Sequence, residues 1–142
     1  MKRHLGLDIG TKRIGVAVSD PLGSFAQGVA VLNVKEDWMR ALDGLVKKYR
    51  VAVIVVGMPL RTDGSAGPEA EKIEALKKVL AERYDDLDVV EWDERFTTVR
   101  AEQALLEGDV SRKGRKSRID MVAASILLQD YLDFLRREGS RE

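Results

Sequence analysis

The fold is set by the stretch from Arg3 to Ser19, which reads RHLGLDIGTKRIGVAVS. Apolar residues alternate with other residues up to Ile9, and a second alternating run begins at Ile14, after the turn residues GTKR. Alternation with a period of two on both sides of a short polar turn is typical of a β-hairpin. The stretch therefore predicts that two antiparallel strands open the chain.

The rest of the chain alternates between strand and helix patterns. We expect a third strand at 25–34, a helix at 36–49, a buried strand at 51–56, a helix opened by Pro68, and a fifth strand at 87–92. A short helix after Thr98, a basic loop at 108–118 and a last helix complete the order βββαβαβαα. This order predicts an α/β fold with a mixed five-stranded sheet flanked by helices, in a single domain that spans residues 1–142.

Composition narrows the class of protein. The chain has 142 residues, with 24 Lys and Arg against 24 Asp and Glu, so any basic site must be local. The absence of cysteine excludes disulfides, thiolate nucleophiles, thiolate zinc sites and iron–sulfur clusters. No signal peptide or membrane-spanning segment is recognisable, and we therefore expect a cytoplasmic protein without a membrane partner.

Carboxylates at three places in the chain follow or flank elements that end at one side of the predicted sheet. Asp8 closes the first strand on the face opposite Leu7, Asp93 and Glu94 follow the fifth strand, and Asp120 is expected one residue into the last helix. Because parallel strands present ligands at their carboxyl ends, these acids can converge if the fifth strand lies beside the first.

Each acid also has an ordinary structural interpretation. An aspartate before a glycine, as at Asp8, commonly caps a turn. Glu94 can belong to a solvated strand end paired with Arg95, and an aspartate in a first helical turn, as expected at Asp120, is favoured by the helix dipole. Only the joint arrangement indicates a site, because three converging carboxylates are hard oxygen ligands for Mg²⁺ or Mn²⁺.

Such a site suits phosphoryl chemistry, since a bound cation activates water and no side-chain nucleophile is needed. The single histidine, His4, precedes the core of the first strand and can at most be an accessory, which disfavours a Ser-His-Asp triad.

A basic run lies directly before Asp120 and contains Arg112, Lys113, Arg115, Lys116 and Arg118. Lys12 and Arg13 are expected to extend the same face. The alternative is a solvated charge run, but the position beside a candidate metal ligand favours contact with a phosphate backbone. Aromatic residues are scarce there, so recognition should depend on backbone shape rather than base identity.

Four blocks of the sequence together resemble the YqgF family, also called RuvX-type or Holliday junction resolvase-like nucleases. They are LDIGTKRIGVA at 7–17, GMPL with DG at 57–64, DERFTT at 93–98 and IDMVAA at 119–124. The first block alone also resembles the phosphate loop of actin-like and sugar-kinase ATPases. A second such loop and a second domain, which that interpretation requires, are missing.

The resemblance implies a ribonuclease H-like fold, metal-dependent phosphodiester hydrolysis, and a role in trimming the 5′ end of precursor 16S ribosomal RNA in the bacterial cytoplasm. It assigns the catalytic and metal-binding roles to Asp8, Glu94 and Asp120. Substrate-binding residues are then expected at the remaining motif and basic positions, namely Lys12, Arg13, Arg95, Thr97, Thr98, Arg115 and Lys116.

Three questions stay open at the level of sequence. Junction resolvases often carry a further acid three residues after the helical aspartate, where this chain has Ala123, so occupancy by one or two metal ions is undecided. A four-way DNA junction shares the chemistry with precursor RNA as a substrate, and a non-catalytic nucleic-acid-binding module shares the fold. A monomer or a weak homodimer is expected.

Overall fold

The computed structural model describes residues 2–59, 67–93 and 112–139, with only the backbone at 112–118 and 139. Five strands and three helices follow one another within these ranges. Their bounds are β1 Arg3–Ile9, β2 Arg13–Ser19, β3 Ala26–Asn33, α1 Trp38–Lys48, β4 Val51–Met58, α2 Pro68–Arg83, β5 Asp88–Asp93 and α3 Arg112–Gly139.

The five strands form one mixed sheet in the order β3-β2-β1-β4-β5. Strands β1, β2 and β3 pair antiparallel, whereas β4 is parallel to both β1 and β5. The expected mixed five-stranded sheet and the opening hairpin are therefore confirmed. Because β1, β4 and β5 run in the same direction, Ile9, Met58 and Asp93 end at one edge, which we call the carboxyl edge.

Helices α1 and α2 cover one face of the sheet, and this face is built from large apolar side chains. Leu5 and Leu7 of β1 are fully buried there, next to Val16 of β2 and Ile54 of β4. Burial of apolar surface at about 25 cal/mol per Å² makes this layer the main source of the stability of the fold.

The opposite face is covered by α3, which packs across β1, β2 and β3. Glycines lie on this face where α3 crosses the strands. There is no room for a side chain, since a Cβ added at Gly6 would lie 2.9 Å from the Leu128 Cβ and one at Gly28 would lie 2.9 Å from the Met121 Cβ. Glycine inside a strand is typical of a close backbone approach. At these positions the helix therefore lies against the backbone of the strands. Toward β4, its residues Leu128 and Leu132 pack with Val53 and Val55 in a second buried apolar cluster.

A polar network joins α1 to α2 at the far end from the carboxyl edge. The Arg83 guanidinium donates to both carboxylate oxygens of Asp43, at 2.9 and 2.5 Å, and the Tyr84 hydroxyl donates to Asp43 Oδ1. These hydrogen bonds lower the pKa of Asp43 to about 2, while burial raises the pKa of Tyr84. The network fixes the two helices relative to each other on the large-residue face.

The condition set for convergence of the acids is not met, because strand β4 lies between β1 and β5. The expected basic loop is wrong in part. Residues 112–118 belong to α3 and not to a loop, because arginine and lysine favour helix and a single glycine at 114 costs only about 1 kcal/mol. The short helix expected after Thr98 and residues 108–111 lie outside the described residues. In the part of the chain that is described, no helix is long and apolar enough to cross a membrane.

Candidate active site

The candidate site begins with Asp8, the second-last residue of β1, which is half-buried. Asp8 lies two residues after Gly6 and therefore shares the face that α3 covers. In the antiparallel register, Asp8 is directly opposite Gly15 of β2, and opposite residues direct their side chains to the same face. The carboxylate of Asp8 thus lies on the α3 side of the sheet, next to a position without a side chain.

Gly15 brings the helical aspartate to the same place. A Cβ added at Gly15 would overlap the backbone carbonyl oxygen of Asp120. No residue other than glycine fits this contact unless α3 moves away from β2. Since Gly15 is also the register partner of Asp8, the backbone of α3 at Asp120 lies against the strand position opposite Asp8. That the two carboxylates share one cation stays a prediction.

Asp120 makes an ion pair with Arg13, the first residue of β2. The Arg13 Nε donates to Asp120 Oδ2 at 2.6 Å, and the Asp120 side chain is 20% exposed against 44% for Arg13. A short charge-assisted hydrogen bond of this kind fixes the orientation of the carboxylate. Arg13, predicted as a substrate-binding residue, therefore contacts one of the candidate metal ligands in this structure.

The position of Asp120 within α3 removes its ordinary structural interpretation. The helix begins at Arg112, so Asp120 lies more than two turns inside it, about 12 Å from its first residue. The stabilisation of acidic side chains by the helix dipole falls off within the first turn. The dipole therefore does not account for an aspartate here, and the expectation that Asp120 is one residue into the helix is wrong.

Asp93 does not join these acids. It is opposite Met58 in the parallel register, and Met58 packs in the core under α1 and α2. Asp93 is therefore on the other face of the sheet from Asp8, with β4 between their strands at a separation of about 10 Å. Of the two acids considered at the end of the fifth strand, the structure disfavours Asp93.

The structure describes only some of the remaining predicted site residues. Lys12 is exposed in the turn between β1 and β2, where its carbonyl oxygen accepts from the Val34 N–H at 3.0 Å. Arg115 and Lys116 lie in the first two turns of α3, before Asp120 on the same helix. The other four predicted residues lie outside the described residues; they are Glu94, Arg95, Thr97 and Thr98.

The chemistry of the donor set fits a divalent cation. Asp8 and Asp120 supply carboxylate oxygens, the ligands that Mg²⁺ and Mn²⁺ prefer. The ion pair with Arg13 shows that the Asp120 carboxylate already holds a positive charge at this position. Within residues 2–59, 67–93 and 112–139, no cluster of three histidine, cysteine or acidic residues is arranged to hold a metal ion. The described part of the site consists of two acids.

Sequence reasoning missed the role of Gly15, although the signal was present. Gly6, Gly15 and Gly28 each lie inside a strand, and all three meet α3. An isolated glycine within a strand pattern suggests a close approach of another backbone. Three of them on one face indicate where the last helix lies.

The chain is similar to known proteins over most of its length. A sequence model of the RuvX family, described as Holliday junction resolvase, matches residues 2–134. A protein of Halothermothrix orenii, provisionally named pre-16S rRNA nuclease, is 51% identical over 138 residues, covering 93% of this chain and 95% of its own. A protein of Moorella thermoacetica with the same provisional name is 48% identical over 140 residues, covering 96% of this chain and 99% of its own.

Two solved structures share the fold at low sequence identity. Fowlpox virus resolvase in complex with Holliday junction DNA has a TM-score of 0.57 at 14% identity, over 94% of this chain and 98% of that chain. RuvC of T. thermophilus in complex with a Holliday junction substrate has a TM-score of 0.54 at 17% identity, over 98% of this chain and 97% of that chain. The fold is ribonuclease H-like, and with the family model matching nearly its whole length, the chain belongs to the RuvX family of Holliday junction resolvase-like proteins.

Proposed function

We propose that this protein is a divalent-metal-dependent nuclease that hydrolyses phosphodiester bonds in the 5′-end maturation of precursor 16S ribosomal RNA. The observation that carries the proposal is the contact of Asp120 with Gly15, directly opposite Asp8, in a chain of the RuvX family. The proposed site combines one carboxylate from a strand with one from a helix at the carboxyl edge, and the chain has no cysteine. Both features favour water rather than a side chain as the nucleophile.

Asp8, Glu94 and Asp120 would hold the cation. The chemistry that Mg²⁺ or Mn²⁺ supplies in such a site is activation of the attacking water and balance of charge on the leaving oxygen. Glu94 is included on the strength of its family motif, because it lies outside the described residues; Trp92, two residues before it, lies on the α3 face of β5 and Asp93 on the other. This alternation argues against Asp93.

The other roles in the proposed site are to hold the carboxylates in place and to bind the substrate. Asp8 is carried by a buried strand and Asp120 by a helix seated on glycine, so both carboxylates are held by backbone rather than by flexible loops. The two turns of α3 that contain Arg115 and Lys116 lead directly to Asp120, which suits contact with phosphates on both sides of the cleaved bond. Lys12, Arg95, Thr97 and Thr98 are assigned to substrate binding by the family motifs.

Arg13 has two partners available in this proposal. Its guanidinium binds Asp120 in the present structure, and 44% of its side chain stays exposed to solvent. A phosphate is an equally good partner for arginine. Arg13 thus orients Asp120 in the free protein and contacts the backbone of the substrate when nucleic acid is bound.

RNA is favoured as the substrate by the names of the relatives, which are 43–51% identical to this chain. The structural neighbours with Holliday junctions are only 14–17% identical and support the fold. A four-way DNA junction is therefore the second candidate. Precursor ribosomal RNA as substrate implies a cytoplasmic protein. One domain of this size suffices to cleave an RNA strand, so we propose a monomer or a weak dimer.

The experiment is a cleavage assay on three substrates at equal ionic strength. They are precursor 16S RNA, a single-stranded RNA of unrelated sequence, and a symmetric four-way DNA junction, each with Mg²⁺, Mn²⁺ or a chelator, with the solution mass measured in parallel. The proposal expects metal-dependent cleavage of the precursor near its mature 5′ end. Paired symmetric nicks in the junction by a stable dimer, without cleavage of RNA, would overturn the RNA assignment.

A further inference from the structure

A cavity of about 430 Å³ lies at the carboxyl edge, beside the candidate active site but on the other face of the sheet. It lies within the range of about 300–1,000 Å³ typical of small-ligand sites. Residues from the end of β1, the end of β4 and the first turns of α2 line it; they are Ile9, Gly10, Thr11, Pro59, Glu69, Lys72 and Ile73. The cavity has no role in the two-acid arrangement described above.

Its position relative to the acids follows from strand alternation. Asp8 and Ile9 are consecutive in β1, so Asp8 faces α3 whereas Ile9 faces the cavity on the α2 side. Only the end of one strand separates the two. A nucleic-acid strand that places a phosphate at Asp8 and crosses the carboxyl edge therefore reaches the cavity with a neighbouring nucleotide.

The lining has an apolar floor and a charged rim. Ile9 and Pro59 are half-buried and offer aliphatic surface on which the face of a nucleobase can pack, and the buried Ile73 closes the cavity below them. Lys72 and Glu69 are both exposed at the rim and come from one turn of α2. Lysine is a partner for a phosphate or a base carbonyl, and glutamate accepts from an exocyclic amino group. One wall for stacking and a rim with both signs of charge suit a nucleotide better than an inorganic anion.

We propose that this cavity binds a single unpaired nucleotide of the substrate strand, with the base on Ile9 and Pro59 and with Lys72 at its phosphate. The inference rests on the proposed nuclease function, because the occupant is a nucleotide adjacent to the cleaved bond. It extends that function by adding recognition of a base, which the basic run alone does not provide. A duplex end cannot enter, since its bases are stacked and paired.

The test is ¹⁵N NMR titration of the metal-free protein with AMP, CMP, GMP and UMP, and with ribose 5-phosphate as the matched ligand without a base. We expect at least one of the four nucleotides to shift the backbone amides of Thr11, Lys72 and Ile73. Ribose 5-phosphate should leave Ile73 unshifted. Lys72→Glu should weaken nucleotide binding about tenfold, whereas Lys78→Glu, the same change on the same helix outside the cavity lining, should change it less than twofold.

A competition arm separates a substrate nucleotide from a free nucleotide that binds independently. If the cavity receives the substrate strand, the tightest-binding nucleotide displaces a fluorescent single-stranded RNA octamer from the wild-type protein. Simultaneous binding of both, equal shifts with ribose 5-phosphate, or no shifts at the three amides would each overturn the proposal. Because no metal or cleavage is needed, nucleotide binding in a protein that fails to cleave RNA would reject the proposed function and not the nucleotide-binding site.

Discussion

The two faces of the central sheet are built from alternate residues of the same strands, yet they differ in what those residues do. On the α1 and α2 face, β1 contributes Leu5 and Leu7, which are completely buried. On the α3 face, the same strand contributes Gly6 and Asp8, and α3 approaches the backbone. Large side chains on the first face hold the fold together. On the other face, glycines in β1 and β2 let α3 come close enough to place Asp120 beside the end of β1, while its apolar contacts with β4 hold the helix.

The largest expected difference between the two faces is in how much a substitution lowers the free energy of unfolding. Leu7→Ala leaves a cavity in the large-residue face and should reduce the free energy of unfolding by about 2–5 kcal/mol. Asp8→Asn, one residue further along the same strand, should leave it unchanged or slightly higher, because it removes a negative charge from an acidic cluster. Urea unfolding of the two variants checks this. A loss in Asp8→Asn as large as that in Leu7→Ala would make Asp8 a structural residue.

The second effect tests the close approach of α3. Gly15→Ala must push Asp120 away from β2, and it should cost about 1–3 kcal/mol and abolish cleavage. Gly44→Ala is the matched control, since a Cβ there meets nothing within 4 Å, and it should stabilise helix α1 by about 1 kcal/mol. Thermal unfolding and the RNA cleavage assay would be run on both variants. A fully active, stable Gly15→Ala protein would contradict the close contact of α3 with Gly15 of β2.

A smaller effect is expected at the ion pair. Arg13→Gln removes the positive charge that is paired with the Asp120 carboxylate and should tighten Mn²⁺ binding severalfold, up to about tenfold. The same change should weaken RNA binding, because it removes a positive charge from the surface. Calorimetric titration with Mn²⁺ and a salt series of RNA binding measure the two effects separately. Lys48→Gln, a charge removal at the far end of α1, serves as the control and should change neither. Unchanged metal affinity in Arg13→Gln would show that Arg13 does not compete for the carboxylate.

The smallest effect concerns the other end of the α3 face, where His4 packs against Tyr131 with ring centroids 5.8 Å apart. His4 is 8% exposed, and burial lowers its pKa from 6.5. The unfolded chain therefore binds a proton more readily, so stability should fall as the pH drops below about 6.5 and level off above it. His4→Phe should remove this dependence from the unfolding curve. A wild-type curve as flat as that of His4→Phe would refute the role given to His4.

Much of the fold could be predicted because its patterns are local. The alternation around Leu7 and Ile14 specifies the hairpin, and the apolar run at 51–56 specifies a strand buried on both faces. The candidate acids Asp8 and Asp120 could be named from their places at a strand end and at the last helix, and the family blocks then assigned them a role. The assignment of the site therefore depends on motifs as well as on periodicity.

What could not be predicted depends on contacts between distant segments. Strand order is a matter of pairing, and nothing in the fifth strand itself says that it pairs with β4 rather than β1. The start of α3 at Arg112 was missed because a dense charge run resembles a loop, although lysine and arginine favour helix. The contact of Gly15 with Asp120 joins residues 105 positions apart and is visible only in three dimensions.

The proposed function depends most on Asp8 and Asp120 binding catalytic metal, together with Glu94, beside the position where Gly15 of β2 lacks a side chain. The most direct test is the Mn²⁺ affinity and precursor RNA cleavage of Asp8→Asn and Asp120→Asn, with unfolding curves to show that both variants fold. We predict that each variant loses most of its metal affinity and at least about a hundredfold in cleavage rate, with folding intact. Full metal binding and full cleavage in a folded Asp120→Asn protein would contradict the claim.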